Sequence, residues 1–274
     1  MISLNRIRFG GVFSNELNMP DLIMDCAFDS DNSEVNTFLA REAVASESYD
    51  GRNRRISSFK YTENFAPKFT FLKKGFGDFT QEEVRALLKY LTSKDTTGLL
   101  EAYDDDSNVI SWASIGNFSE IQLYKIANKR VVGVTAVWDS ISPFALSDLY
   151  TVTKTITLIG TITIDIDTDD NKPVYPRVTI QEKGTSVKFI NKHTDFFNVT
   201  KPYNSLVLTN NTSGEKIIVD GANKIISSSH TRRIFGDDFN WRWLELYDGK
   251  NEITIEGNCE VTLSWREARK VGEY

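Results

Sequence analysis

TITLIGTITIDID, residues 155–167, decides the fold. Ile156, Leu158, Ile162, Ile164 and Ile166 share one register, and threonines and aspartates fill much of the other. A repeat of two is the period of a strand, whose successive side chains leave on opposite faces, and β-branched Thr and Ile favour that backbone. One face is apolar and the other polar, so the stretch belongs to an antiparallel sheet with a buried side and a wet side. Asp165, Asp167 and Asp169 project from one side of the strand end. Like charges at neighbouring positions on one face repel unless solvated or bound by a cation. The reading is therefore a solvated end running into the Asp169-Asp170-Asn171 turn, with a calcium site as the alternative. Calcium needs six or more oxygens, and the spaced loop motif with its terminal Glu is missing here. Paired carboxylates are also the equipment of a glycosidase, but sequence proximity does not establish their separation in space.

Toward the C-terminus, short strand candidates follow at 177–181, 187–190, 205–208, 217–220, 224–226, 243–246, 252–255 and 260–265. The residues 211–214, Asp220-Gly221, Asp248-Gly249 and Glu256-Gly257-Asn258 read as turns, where glycine and asparagine supply positive φ at low steric cost. Strands at this spacing predict a β-sandwich or jelly roll. Toward the N-terminus the alternation recurs at 68–72, 99–103, 121–126 and 131–137. The acidic run at 104–106 reads as a hairpin tip leading to a further strand at about 109–113. One segment differs: Val84, Leu87, Leu88 and Leu91 repeat at helical spacing, and Thr80 with Glu83 fits a capping box. A helix is expected at about 80–93, packed by its apolar stripe on a sheet. Gly75-Phe76-Gly77 lacks the third glycine of a dinucleotide fingerprint and is read as the loop leading into that helix.

The pattern changes after Ser142-Pro143, which places the boundary in 142–150 and divides the chain into an N-terminal domain, 1–145, and a C-terminal domain, 146–274. Residues 29–53 are polar and poorly periodic and read as a long arm or loop. No tandem period is visible, which disfavours a solenoid or propeller.

A length of 274 residues suits two cores, and 12% aromatic residues argue against disorder. The net charge of -6 offers no attraction for phosphate backbones, so nucleic acid is not expected as a partner. Arg52, Arg54 and Arg55, and the pair Arg232 and Arg233, are short basic clusters that read as solvated charges, with an inter-subunit salt bridge as the sharper alternative. With two cysteines, Cys26 and Cys259, the chain is no disulfide scaffold, and their pairing stays open. The opening MISLNRIRFGG has no signal-peptide apolar core and no stretch is apolar enough to span a bilayer, which points to a cytoplasmic product. Asn198 to Thr200 then carries no glycosylation meaning.

Catalytic and cofactor motifs are missing. His193 and His230 lie 37 positions apart, outside any metal-ligand spacing. There is no Gly-x-Ser-x-Gly elbow and no phosphate-cradling loop. No catalytic, cofactor-binding or metal-ligating residue is assigned, and no cofactor is expected. The aromatic set Phe235, Phe239, Trp241, Trp243 and Tyr247 has two readings: 239, 241 and 243 share a strand face and belong to a sandwich core, or the set forms a sugar-stacking platform.

The closing segment 239–258, an aromatic strand followed by the Gly249-Lys250-Asn251 hairpin, with 261–269 as last strand and Arg-rich exit, resembles that of siphophage distal tail proteins. Ser57-Ser58-Phe59-Lys60-Tyr61, the helix start at Phe79-Thr80 and the 134–144 stretch resemble that family's N-terminal domain. The resemblance implies an N-terminal β-sandwich with one helix that builds a hexameric ring, and a C-terminal galectin-like or carbohydrate-module-like sandwich. It implies a non-enzymatic protein at the virion tail tip, made in the bacterial host cytoplasm. Its partners would be the major tail tube protein, the tail-associated lysin or hub protein, and receptor-binding proteins or cell-wall glycan. The competing readings are a carbohydrate-binding protein acting through the C-terminal sandwich, a glycoside hydrolase, and a tube or baseplate component of a contractile or bacteriocin particle.

Overall fold

A computed structural model describes residues 6–19, 21–27, 41–47, 54–61, 64–104, 109–126, 130–193 and 205–270. The chain divides into two compact units, Met1–Asp148 with Arg269–Tyr274, and Leu149–Ala268. All strand pairs detailed below are antiparallel, as the alternation requires.

The N-terminal unit contains β1 (Arg6–Phe9), β2 (Val12–Phe13), β3 (Leu22–Ala27), β4 (Arg41–Glu47), β5 (Arg54–Tyr61), β6 (Lys68–Lys73), α1 (Gln81–Leu91), β7 (Gly98–Tyr103), β8 (Trp112–Lys125), β9 (Val131–Ser140) and β10 (Ala145–Leu146). The main sheet runs β2-β1-β7-β8-β9-β6-β3. Its hinge is a bulge in the β8–β9 ladder, where the register shifts between Ser119 and Gln122 and Glu120 takes φ 47°. A bulge bends its strand and increases local twist. Before it, β8 pairs with β7, and beyond it the β9 ladder continues to β6 and β3. One ladder thus folds into two layers that share one core, including Phe9, Phe69, Phe71, Phe118 and Trp138.

Helix α1 forms as its sequence dictates. The Glu83 amide donates to Thr80 Oγ1 (3.2 Å), and the Thr80 amide donates to Glu83 Oε2 (2.7 Å). Lys73 Nζ of β6 holds the same carboxylate at 2.8 Å, so the cap is tied to the sheet. The Lys73 bond first, then the Thr80 amide, hold the Glu83 carboxyl below its ordinary range. Leu87, Tyr90 and Leu91 are buried, and Tyr90 Oη donates to the Ile7 carbonyl at 3.3 Å. Gly75, at φ 74°, turns the chain just upstream.

Residues 41–47, read from sequence as part of a loop, form strand β4, paired with β5 from Arg41↔Tyr61 to Glu47↔Arg54. REAVASE carries little apolar alternation, so cross-strand pairing and not hydrophobic periodicity defines it. The rest of the supposed arm, 29–40 and 48–53, lies outside the described residues, as do Arg52, residues 105–108 of the acidic tip, and 198–200. The base of that tip is closed by the Ser111 amide on the Ala102 carbonyl (2.9 Å).

The C-terminal unit contains β11 (Tyr150–Ile156), β12 (Ile159–Ile166), β13 (Arg177–Asn191), β14 (Ser205–Leu208), β15 (Lys216–Asp220), β16 (Ile225–Ser228) and β17 (Gly249–Trp265); a last short strand, β18 (Ala268–Arg269), ends the described chain. Here too one long ladder, β13–β17, is broken by a register shift, between Glu182 and Val187. On one side the order is β12-β17-β13-β14, on the other β11-β17-β13-β15-β16. Their inner faces meet in one cluster that holds Ile162, Ile164, Phe189 and Ile255 from the first layer and Val178, Ile180, Val219 and Leu263 from the second.

Several local expectations change. Leu158 is 74% exposed, because residues 157–158 turn the β11–β12 hairpin and remove it from the register that buries Ile156, Ile162, Ile164 and Ile166. The 177–181 and 187–190 candidates are one strand, as are 252–255 and 260–265. Gly257 is therefore no turn: at φ 145° within β17, a Cβ there would lie 2.7 Å from the Ser186 carbonyl oxygen. The positive φ beyond Asp220 belongs to Lys224 (57°), not Gly221, and the Asp220 carboxylate holds the Asn223 amide at 3.0 Å. Residues 243–246 form no strand, only a single bridge, Leu246↔Val174.

Candidate functional site

The C-terminal unit assembles a row of aromatic and charged side chains, its two tryptophans linked through the buried Phe239 ring. Along 239–247 the chain buries Phe239, Leu244 and Leu246 while Trp241 is exposed and Trp243, Glu245 and Tyr247 are half-buried. Trp241 and Trp243 both pack on the Phe239 ring, each with centroids 5.3 Å away. Trp241 is 57% exposed, sits at φ 52°, and donates its indole Nε1–H to the Gly236 carbonyl (3.0 Å). A bulky residue in the left-handed region is held there by its surroundings at a cost of about 1–3 kcal/mol.

From Trp243 the row continues through Lys224, whose Nζ lies 5.3 Å from the Trp243 ring centre and 3.3 Å from that of Tyr175. Tyr175 Oη donates to Glu245 Oε1 at 3.1 Å, and Tyr247 Oη donates to Glu245 Oε2. His193 stacks on Tyr247 with centroids 4.8 Å apart and planes at 23°. Burial pushes both phenols up, and their bonds to the Glu245 carboxylate push further. Burial lowers the Lys224 ammonium, with Glu245 opposing. The carboxylate is thus positioned by two phenols beside an ammonium.

The backbone beneath the row is fixed. Val174 and Leu246 exchange both amide bonds (2.7 and 2.9 Å). Buried Asn191 donates to the Glu245 carbonyl and to Asn251 Oδ1, both at 2.8 Å, and Asn251 returns to the Tyr247 carbonyl at 2.6 Å. At the other end, Asn240 Oδ1 accepts the Val207 amide (3.1 Å), and its Nδ2 donates to the Ser205 carbonyl (2.9 Å). Arg233, half-buried with its side chain 13% exposed, anchors the preceding segment through the Thr209 carbonyl (2.8 Å) and the Asp238 carboxylate (3.2 Å), with Glu215 3.7 Å away.

The sequence reading of the aromatic set is divided by this geometry. Phe235 and Phe239 are core, and Trp241 is outside it because the positive φ breaks the strand alternation at that residue. Tyr175, Lys224 and Glu245, which sequence reasoning left out, lie 70 positions apart at the extremes and carry no common local motif. Asp165, Asp167 and Asp169 are all exposed, with Asp165 paired across the ladder to Lys250. Among the described residues no group of three or more His, Cys, Asp or Glu side chains is placed to hold a metal. His230 is exposed at the turn after β16, its amide on Ser228 Oγ at 2.9 Å. Cys26 and Cys259 are free and buried, in different units. No described helix is long and apolar enough to cross a membrane.

Comparison with known proteins places these features. Residues 7–138 match a phage tail protein N-terminal domain, and residues 144–265 match a phage tail C-terminal domain. Among solved structures, the fold is similar to the phage SPP1 Dit protein, described as a paradigm of the hub adsorption apparatus in phages infecting Gram-positive hosts. That likeness has a TM-score of 0.61 at 11% identity and covers 95% of this chain and 98% of that one. It is also similar to a chain of the phage P2 baseplate in its activated conformation with Ca, with a TM-score of 0.53 at 9% identity over 90% of this chain and 91% of that one. A search of curated protein sequences returns no match.

Proposed function

The chain belongs to the phage tail protein family that this pair of domains defines, and on that premise we propose that it is the structural distal tail protein of a long-tailed phage or prophage. Copies close into a ring, six in the form that the sequence resemblance implies, and the ring joins the tail tube to the baseplate and host-attachment apparatus. Its partners are the tube protein, a tail hub or lysin protein, and receptor-binding proteins. Its place is the virion tail tip, and its work is positioning and not catalysis. The observation that carries this reading is the match of both domains to phage tail families together with a hub-protein fold that runs nearly end to end.

The described N-terminal sheet supports it physically. A strand edge presents unpaired backbone groups that a protein must cover, and a heterologous contact that closes on itself covers two unlike edges at once. Here the edges differ in chemistry. At β2, the Arg6 and Arg8 guanidinium carbons sit 4.8 and 5.3 Å from the Phe13 ring centre, and Val12 is 41% exposed. At β3, Asp21 and Asp25 flank Ile23, which is 47% exposed. Arg8 is paired with Glu101 at 3.4 Å and the Glu16 carboxylate holds the Phe13 amide, so the contrast is of an aromatic edge with paired charges against one with an exposed isoleucine between aspartates, and unlike edges suit head-to-tail association.

Light scattering on the full-length protein across a concentration series, with negative-stain imaging, tests this. A closed ring of about six subunits is expected. Protein that stays monomeric both alone and when added to tails lacking it, without restoring their tips, would overturn the reading.

A further inference from the structure

We propose that the aromatic row of the C-terminal unit is a saccharide-binding subsite that stacks the flat face of an equatorially substituted pyranose on the exposed Trp241 indole and holds its hydroxyls on the polar groups of the row. Such a sugar presents C–H faces that stack on rings and a rim of hydroxyls that need donors and acceptors beside those rings. The row supplies both: the exposed Trp241 indole and the half-buried Trp243 indole as rings, and beside them the Lys224 ammonium over the Tyr175 ring, the Glu245 carboxylate, and His193 stacked on Tyr247 as polar groups. Sites for small polar ligands have this composition, mostly aromatic lining with a few placed polar groups.

Three features set the row apart from ordinary surface. The indole N–H of Trp241 is spent on the Gly236 carbonyl, so the exposed part of that side chain offers its ring for stacking. Trp241 is held at φ 52° on a segment pinned by Asn240 and Arg233, which spares the ordering cost on binding. Glu245 is oriented by two phenols, which fixes the acceptor before a ligand arrives.

A protein partner is the less suitable occupant. Docking anchors are depleted of charge at their centre, whereas the centre of this row is the Lys224–Tyr175–Glu245 group. The proposal is independent of ring assembly, because it concerns the C-terminal unit by itself.

The test is calorimetric titration of the full-length protein with chitohexaose and with cellohexaose, with intrinsic tryptophan fluorescence as a second readout. Saturable binding of one or both is expected, weakened about tenfold by Trp241→Ala, which removes one stacking ring. Glu245→Gln, which retains the side chain's size, is expected to weaken it comparably. Ile234→Ser, at an 85% exposed apolar position outside the row, should leave it unchanged. Melting curves verify that each variant is folded, and light scattering that its oligomeric state matches the parent. No saturation by either sugar up to about 10 mM, or binding indifferent to both row variants, would overturn the proposal. So would loss of a tail-protein partner from Trp241→Ala in the absence of sugar binding, which would make the row a protein dock.

Discussion

In the N-terminal unit the core is closed by rings. Phe9 meets Tyr90, Phe118 and Trp138 edge-on at 6.3, 5.3 and 5.5 Å, and Phe65 meets Trp112 at 5.1 Å. In the C-terminal unit the same two-layer architecture is filled mainly by Ile, Val and Leu, with Phe189, Phe235, Phe239 and Trp265 among them, and its margins hold buried polar groups, including Glu182, Glu215, Asn191 and Asn251. Both units fold a single long ladder over at an irregularity, yet they satisfy that irregularity differently. At the C-terminal break, buried Glu182 accepts the Gly184 amide (3.0 Å) and the Asn211 side chain (2.8 Å). An aromatic core resists deformation through a few large, geometrically specific contacts. A β-branched core with a polar margin depends on every buried hydrogen bond being made. The two units should therefore fail in different ways.

The largest expected effect is on the ring-packed core. Trp138→Ala removes a fully buried indole whose Nε1 donates to Ser114 Oγ at 2.9 Å. It should cost about 3–5 kcal/mol and lower the calorimetric transition of the N-terminal unit, while the C-terminal transition stays in place. A uniform shift of the whole trace would break the contrast between the units.

Glu215→Ala attacks the polar margin instead. Burial alone would raise this carboxyl, but the Ser228 hydroxyl (2.6 Å), the Thr212 amide (2.9 Å) and the Arg233 charge outweigh it and leave its pKa depressed. Removing it should cost the C-terminal unit about 3 kcal/mol. Because the folded pKa lies below the unfolded one, the carboxylate's contribution is complete above the ordinary value of 4.5 and is lost as pH falls through the folded pKa. Melting between pH 3 and 6, values chosen as roughly bracketing the carboxylate range, should show a steeper acid loss in the parent than in the variant.

Thr80→Ala removes the helix cap and should cost about 1 kcal/mol, again confined to the N-terminal unit and read by urea denaturation. The smallest effect is kinetic. Burial, then the neighbouring Glu182, push the Cys259 thiol up to about 11, and burial raises Cys26 as well. Both should resist a disulfide reagent near neutral pH in the folded protein and react at once in denaturant. Rapid labelling of Cys259 alone would indicate that the C-terminal ladder opens locally.

Some of this was legible because it is local. The capping box at Thr80 and Glu83 acts within one helical turn, so the helix could be read from adjacent residues, and the structure closes that box with the expected bonds. The alternation of 155–167 likewise forecast the buried isoleucines, and only Leu158 escaped, because a two-residue turn resets the register without changing composition. Strand β4 was missed because its partner β5, and not its own hydrophobicity, makes it a strand. The aromatic row was half visible: 241–247 could be read in line, but Tyr175, Lys224 and His193 arrive from other parts of the chain.

The sequence by itself determined a mainly β chain with two cores, one helix and a polar outer face, since period, capping and turn chemistry are properties of neighbouring residues. Tertiary structure alone decided that the breaks near 182–187 and at Gly257 are bends within continuous strands. It alone also set Trp241 apart from the core and brought Glu245 under two phenols. The physical reason is common to all of these. A ladder and a side-chain cluster are defined by partners many positions away, and no local pattern records which partner the chain will meet.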